Sequence, residues 1–206
     1  SSIPLIKPND KIGVPQPTVA GGTTMETLER DLAKYLLKSG HINFDVIEDR
    51  DTMTFNVASY IFDELDSDNL TLTNPIYATI CNEYRALWEQ LGEGVEVPTH
   101  TLVNHHNPAV CSVVIDLLTS DDNYVISKIW EQKDIHIESD AEQLAEAVPK
   151  AMMLYKLRTI DNRNTELMIK LQDPNITDEE MQQTMSLCKK YGEARVVIAR
   201  KIGQLM

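Results

Sequence analysis

The stretch Asp173-Pro174-Asn175-Ile176-Thr177-Asp178-Glu179-Glu180 constrains this chain more than any other. Pro174 has no backbone N–H to donate and its ring clashes with a preceding helical turn, so an incoming helix must stop before it. Thr177 stands three residues ahead of Glu180, the spacing at which each side chain satisfies the other residue's free backbone N–H at a helix start. Asp178 and Glu179 add negative charge at the positive end of that helix's dipole. Met153, Leu157, Ile160, Leu167 and Leu171 recur at helical spacing before the turn, with Asn164 on the same stripe. Leu187, Tyr191, Ala194, Ile198, Ile202 and Leu205 do the same after it. The pattern predicts an antiparallel helical hairpin over residues 150–206, its second arm on the order of 40 Å long at the usual rise per residue. The apolar stripes of so long a hairpin must cover each other or be covered by something else.

Upstream of the hairpin the pattern is mostly helical. Residues 1–22 hold Pro4, Pro8, Pro15 and Pro17 with Gly13, Gly21 and Gly22, which is linker composition. Gly21-Gly22 lacks the Lys-Ser/Thr ending and the preceding strand of a phosphate loop. A linker at this position suggests a removed upstream segment. Thr23 then reads as an N-cap with Glu26 at N3, opening a helix through Met25, Leu28, Leu32, Tyr35 and Leu36 that ends near Gly40. Residues 44–47 and 53–57 flank the polar turn Glu48-Asp49-Arg50-Asp51, and their alternation and β-branched content predict a small β-hairpin near 44–56. Val57, Tyr60, Ile61, Glu64 and Leu65 return to helical spacing. Asn74-Pro75 and Asn107-Pro108 each pair an N-cap with a proline at N1, starting helices that carry Ile80, Tyr84 and Leu87 in one case and Val110, Val114 and Leu117 in the other. Short helical turns are expected around residues 99–104 and 127–132. A helix over 139–148 leads to Pro149, which marks a kink or junction. The expectation is an all-α chain with one small β-hairpin: a linker over 1–22, a helical bundle over 23–149 and a C-terminal helical hairpin over 150–206.

The 206 residues, 42% of them apolar, suffice for a packed core. Ser1-Ser2-Ile3 begins no signal peptide, and no apolar run approaches the roughly 20 residues that span a bilayer. Cys81, Cys111 and Cys188 are odd in number, far apart and set in helical patterns, so they read as reduced core thiols of a cytoplasmic protein. The net charge of −13 is unevenly spread. Residues 1–149 carry 9 Lys/Arg against 25 Asp/Glu, a net −16, while residues 150–206 carry 10 against 7, a net +3. Affinity for nucleic acid comes largely from Lys and Arg on phosphates, so the acidic body should bind it little. Only the last arm, with Lys189, Lys190, Arg195, Arg200 and Lys201 against Glu193, can attract an acidic partner.

Residues with catalytic or metal-binding chemistry do not assemble into a recognisable site. His100, His105, His106 and Asp116 are followed by His136-Ile137-Glu138, but neither the i, i+4 spacing of helical ligands nor HExxH occurs. Asp63-Glu64, Asp66 with Asp68, and Asp121-Asp122 sit at expected helix ends and turns, where carboxylates serve as caps and solubilising charge. There is no nucleophile elbow, kinase set or dinucleotide fingerprint. No catalytic residue, cofactor or metal is assigned, and the chain reads as a binding module.

Several runs resemble the C-terminal domain of bacterial DNA primase. They are Val57-Ala58-Ser59-Tyr60-Ile61-Phe62-Asp63-Glu64-Leu65 with Asn74-Pro75-Ile76-Tyr77, and Leu102-Val103-Asn104-His105-His106-Asn107-Pro108. Ile126-Ser127-Lys128-Ile129-Trp130 and the closing Arg200-Lys201-Ile202-Gly203-Gln204-Leu205 belong with them. The likeness spans roughly residues 24–206, in helix starts and apolar positions rather than a catalytic signature. It implies a non-catalytic fragment of an RNA-primer polymerase: a helical bundle similar to the N-terminal domain of the replicative helicase, then a hairpin that docks on that helicase domain and brings primase to the replication fork. The zinc module and polymerase core of that family would lie upstream. The β-hairpin at 44–56 departs from the family's all-helical pattern.

Under this reading Leu187, Tyr191, Ile198, Ile202 and Leu205 contact the helicase, with Lys190, Arg195, Arg200 and Lys201 at the rim; Tyr191 and Arg195 are of the types that anchor interfaces. The same apolar residues could instead close the hairpin against Met153, Leu157, Ile160 and Leu171. Self-association is the alternative from another class, because a polar Asn164 in an apolar seam can set the register between copies.

Overall fold

The computed structural model describes residues 24–48, 51–120 and 140–204. Seven helices and one two-stranded antiparallel sheet make up these residues: α1 (Met25–Ser39), β1 (Asn43–Glu48), β2 (Asp51–Asn56), α2 (Val57–Ser67), α3 (Pro75–Leu91), α4 (His100–Val103), α5 (Pro108–Thr119), α6 (Asp140–Lys170) and α7 (Asp178–Gln204). The chain is all-α with a small β-hairpin, as its sequence indicates. The linker residues 1–22, the short turn expected at 127–132 and Leu205 lie outside the described residues.

Helix α1 is the hub of the bundle. Leu28, Leu32 and Leu36 fall one turn apart, Ala33 and Leu37 flank them, and all five are buried. Around this stripe pack α2, α3, α5 and the first half of α6. They supply Ile61, Phe62 and Leu65, then Ile80 and Tyr84, then Val110, Val114 and Leu117, and finally Leu144, Val148, Met152 and Tyr155. Each large aliphatic or aromatic side chain removed from water in this way contributes roughly 1.5–3 kcal/mol.

Helix starts use local chemistry that the sequence displays. Asn74 and Asn107 each accept a hydrogen bond from the backbone two residues on (2.9 and 3.0 Å), with proline at N1 behind them. For α1 the cap is Thr24 rather than Thr23, because Thr24 Oγ1 reaches the N–H of Thr27. At the other end of α1, Gly40 meets Tyr84 so closely that an added Cβ would stand 2.1 Å from the phenolic oxygen, so only glycine fits. Strand β2 ends at Asn56, and Asn56 itself caps α2 by accepting from Ala58 and Ser59, so Val57 opens a helix rather than closing a strand. Phe44, Phe55 and Tyr60 pack pairwise, Tyr60 edge-on to both phenylalanines, with centroids 5.5–6.2 Å apart, and fasten the β-hairpin to α2.

The helix expected over 139–148 does not stop at Pro149. Helix α6 runs through it without interruption for 31 residues, about 46 Å. Proline costs one i→i−4 hydrogen bond there, but Leu144, Val148, Met152 and Tyr155 on either side are locked into the bundle core. That burial outweighs the lost bond. The first half of α6 therefore belongs to the bundle and its second half to the hairpin.

Candidate partner-binding surface

Helix α7 is packed differently from every other long helix. Among the described residues it packs broadly on α6 alone. Its buried and half-buried positions therefore mark the side that faces α6. Apart from Gly192, they are Thr184, Cys188, Tyr191, Ala194, Ile198 and Ile202, at helical spacing throughout. On α6 the matching half-buried stripe is Leu157, Ile160, Asn164, Leu167 and Leu171. Asn164 Oδ1 is buried in that stripe without a hydrogen-bond partner.

Polar braces hold the hairpin at its tip, middle and root. At the tip, Glu180 accepts from Thr177 N–H (3.1 Å) and Thr177 Oγ1–H (2.9 Å), while Thr177 Oγ1 accepts from Glu180 N–H (3.2 Å). This is the reciprocal cap expected from the spacing, and those bonds hold the Glu180 carboxyl below its usual range. Midway, Arg195 Nε reaches Asp161 at 2.7 Å, so Arg195 braces α7 to α6 instead of standing free. At the root, Lys156 of α6 is nearly enclosed and pairs with Glu64 of α2 and with Asp68 just past its end, both at 2.5 Å. Burial pulls the Lys156 pKa down, but the Asp68 and Glu64 hydrogen bonds more than offset it and leave it raised. The α2 carboxylates, together with Asp66 on Arg85 (2.7 Å), are thus bracing groups rather than plain solubilising charge. Nothing in a single sequence pairs residue 64 with residue 156.

The opposite side of α7 faces solvent. Val196 and Met185 are each 57% exposed and Val197 56%, and at the flanks of the seam Leu187 and Met181 are also open. Lys189, Lys190, Arg200 and Lys201 stand among them, all exposed. At the free end, the last turn of α6 adds Met168 and Ile169, 53% and 64% exposed. Of the residues that the sequence points to, Lys190, Arg200 and Lys201 lie on this open side, and Leu187, 42% exposed, lies at the edge of the seam. Tyr191, Ile198 and Ile202 lie against α6. Sequence reasoning passed over Met185, Val196 and Val197, which sit outside the strongest apolar stripe and so look like ordinary surface positions.

The histidine-rich stretch is already occupied. His105 Nδ1 accepts from the Asn107 N–H (3.0 Å), which leaves Nε2–H to donate to Glu83 (2.8 Å), and the ring stacks on His106. Asp116 is drawn to Arg30 at 3.3 Å. Among the described residues no group of three or more His, Cys, Asp or Glu is arranged to hold a metal ion. Asp121-Asp122 and His136-Ile137-Glu138 lie outside them. All three cysteines are free, and burial pushes the Cys81 thiol up to about 11, far from a reactive thiolate. No helix among the described residues is long and apolar enough to cross a membrane.

A bundle with one amphipathic arm held by a single neighbour defines a class of helical domain with an open flank. The chain belongs to the family described as Domain of unknown function (DUF8430), whose model matches residues 15–205. No curated protein and no solved structure matches it.

Proposed function

We propose that this chain is a non-catalytic docking module, the C-terminal part of a bacterial DNA primase, and that its α6–α7 hairpin binds the N-terminal domain of the replicative helicase. The observation that carries this reading is the unpartnered side of α7. It offers aliphatic and cationic side chains to solvent along a helix that, among the described residues, packs broadly on α6 alone. An exposed apolar patch mixed with charge is the usual mark of a protein contact. The bundle-plus-hairpin architecture and the runs quoted above support the choice of partner. The parent protein would be the primer-synthesising enzyme, and this fragment would supply its address at the fork in the cytoplasm.

Co-elution of the whole chain with the helicase N-terminal domain tests the proposal. Binding is expected, and its loss on deleting residues 178–206 places it on the hairpin. Full binding by the deleted chain sinks the idea. A mass in light scattering that rises with concentration, with no helicase bound, moves the reading to self-association.

A further inference from the structure

The open side of α7 has an internal order that narrows what can sit on it. Met185, Lys189, Val196 and Arg200 follow one another at intervals of four, seven and four residues, so they form one stripe along the helix. Lys190, Val197 and Lys201, at seven and four, form a second stripe beside it. Val196 and Val197 are each bracketed by cations, and Met185 is followed by one. Glu193 is the only acidic residue from Met185 to Gly203. None of the four cations is engaged in an ion pair among the described residues, whereas Arg195, on the α6 side, is.

Resting on the docking reading above, we infer that this two-striped back of α7, not the apolar seam of the hairpin, is the contact face, and that its partner is a protein surface with an apolar groove edged by carboxylates. Each valine and methionine needs an apolar seat, and each flanking lysine or arginine needs an anion beside that seat. A carboxylate-rimmed groove supplies both.

Other occupants fit less well. A second copy docking through the same face would set Lys189, Lys190, Arg200 and Lys201 against their own equivalents, and like charges in contact are repulsive. A nucleic-acid strand would gain four cations but no exposed aromatic ring to stack on, since Tyr191 is turned toward α6. It would also run toward the acidic bundle. The Asp161–Arg195 brace sets the register of the arms, so Arg200 and Lys201 return toward the level of Lys156, where Glu64 and Asp68 cluster. An anionic bilayer would meet the same carboxylates.

The test is titration of the whole chain with the helicase N-terminal domain at about 50 and about 300 mM salt. The unaltered chain should bind and weaken as salt rises, because exposed charges are screened. The variant K189E/K190E/R200E/K201E should bind at least about 100-fold more weakly at low salt and lose most of the salt dependence. The variant M185A/V196A/V197A should weaken about tenfold at both salts, with its salt dependence kept. Both variants are confined to exposed positions, and unchanged helix content by circular dichroism checks that they fold. Wild-type affinity in the charge-reversal variant overturns this inference and leaves the docking reading intact. Failure of the unaltered chain to bind overturns both. Binding to duplex DNA or to phosphatidylserine vesicles that the charge-reversal variant loses would overturn the protein groove in favour of that anion.

Discussion

The bundle and the hairpin are both antiparallel helical packings, yet they are held by different means. In the bundle every helix meets two or more others, most of its large side chains form one buried core, and even the carboxylate of Glu29 is wholly buried. That carboxylate is tolerated because Thr73 N–H, Thr73 Oγ1–H and Asn74 N–H all donate to it, at 2.6–2.8 Å. In the hairpin one seam does the holding: among the described residues of α7 only Thr184 and Ile202 are buried, the rest of its seam is half-buried, and the side away from α6 is open. A substitution in the bundle should therefore be read out as stability. One on the back of α7 should be read out as binding. Helix α6 is the member common to both, which is why its uninterrupted passage through Pro149 matters: the arm's angle is set by the core.

The sharpest break in the comparison is at Glu29. Glu29→Ala leaves three donors buried without an acceptor and should cost about 3–5 kcal/mol, measured by urea unfolding. Gly40→Ala should also be severe, since its Cβ would drive into Tyr84 and the Leu36 carbonyl oxygen. Wild-type stability in either variant would mean that the bundle is not sealed as described.

Alkali should separate the two regions next. Burial raises the phenols of Tyr84 and Tyr155 to about 12, Tyr155 also donating to the Thr71 carbonyl at 2.9 Å. In the unfolded chain these groups ionise near 10. Their contribution is thus complete below about pH 10 and is lost as pH climbs toward 12, roughly 2–3 kcal/mol for each. Lys156, also raised, loses its contribution in the same direction above the ordinary lysine value. Bundle stability should stay flat to about pH 10 and then fall, followed by ultraviolet tyrosinate absorbance alongside circular dichroism. Ionisation of both tyrosines near pH 10 without unfolding would refute their burial.

Smaller effects are expected in the seam. Ile202→Ala should cost about 1–2 kcal/mol, less than a core isoleucine, because the site lies near a helix end that can relax. The loss should appear as faster amide exchange in α7 while α1 stays protected. A loss of similar size in α1 would mean that the arm and the bundle unfold as one unit.

The helices and the β-hairpin were legible because they are written in local terms. Asparagine before proline, Thr177 with Glu180, and apolar spacing each act within a few residues, and the structure follows them closely. What could not be read depends on partners far apart in the chain. The pairing of Lys156 with Glu64 and Asp68, the Asp161–Arg195 brace and the close approach of Gly40 to Tyr84 each join residues from different elements. The helical spacing of Tyr191, Ile198 and Ile202 was visible in the sequence. Their facing α6 rather than solvent was not, because an amphipathic stripe looks the same whether a sister helix or a foreign protein covers it. The open stripe was harder still. Met185, Val196 and Val197 are interrupted by lysines and arginine, a mixture that reads as surface until its neighbours are placed.

The slightest expected effect sharpens the comparison at the hairpin's tip. Glu180 is exposed, and its lowered pKa comes first from the Thr177 backbone N–H and then from the Thr177 hydroxyl. A carboxyl with a depressed folded-state value contributes stability above its unfolded value and loses that contribution as pH falls through the folded one. On acidification below the ordinary glutamate range the start of α7 should fray. Protection factors for the first turn of α7 should therefore drop on acidification and should already be low in Glu180→Ala at neutral pH. Leu36 and Ile61 should be unaffected in Glu180→Ala at neutral pH. If the Ala variant keeps wild-type protection at Met181, the tip is held by the seam rather than by its cap. The arm would then be stiff from end to end, and a partner on the back of α7 would meet a preformed surface at Met185 as much as at Val196.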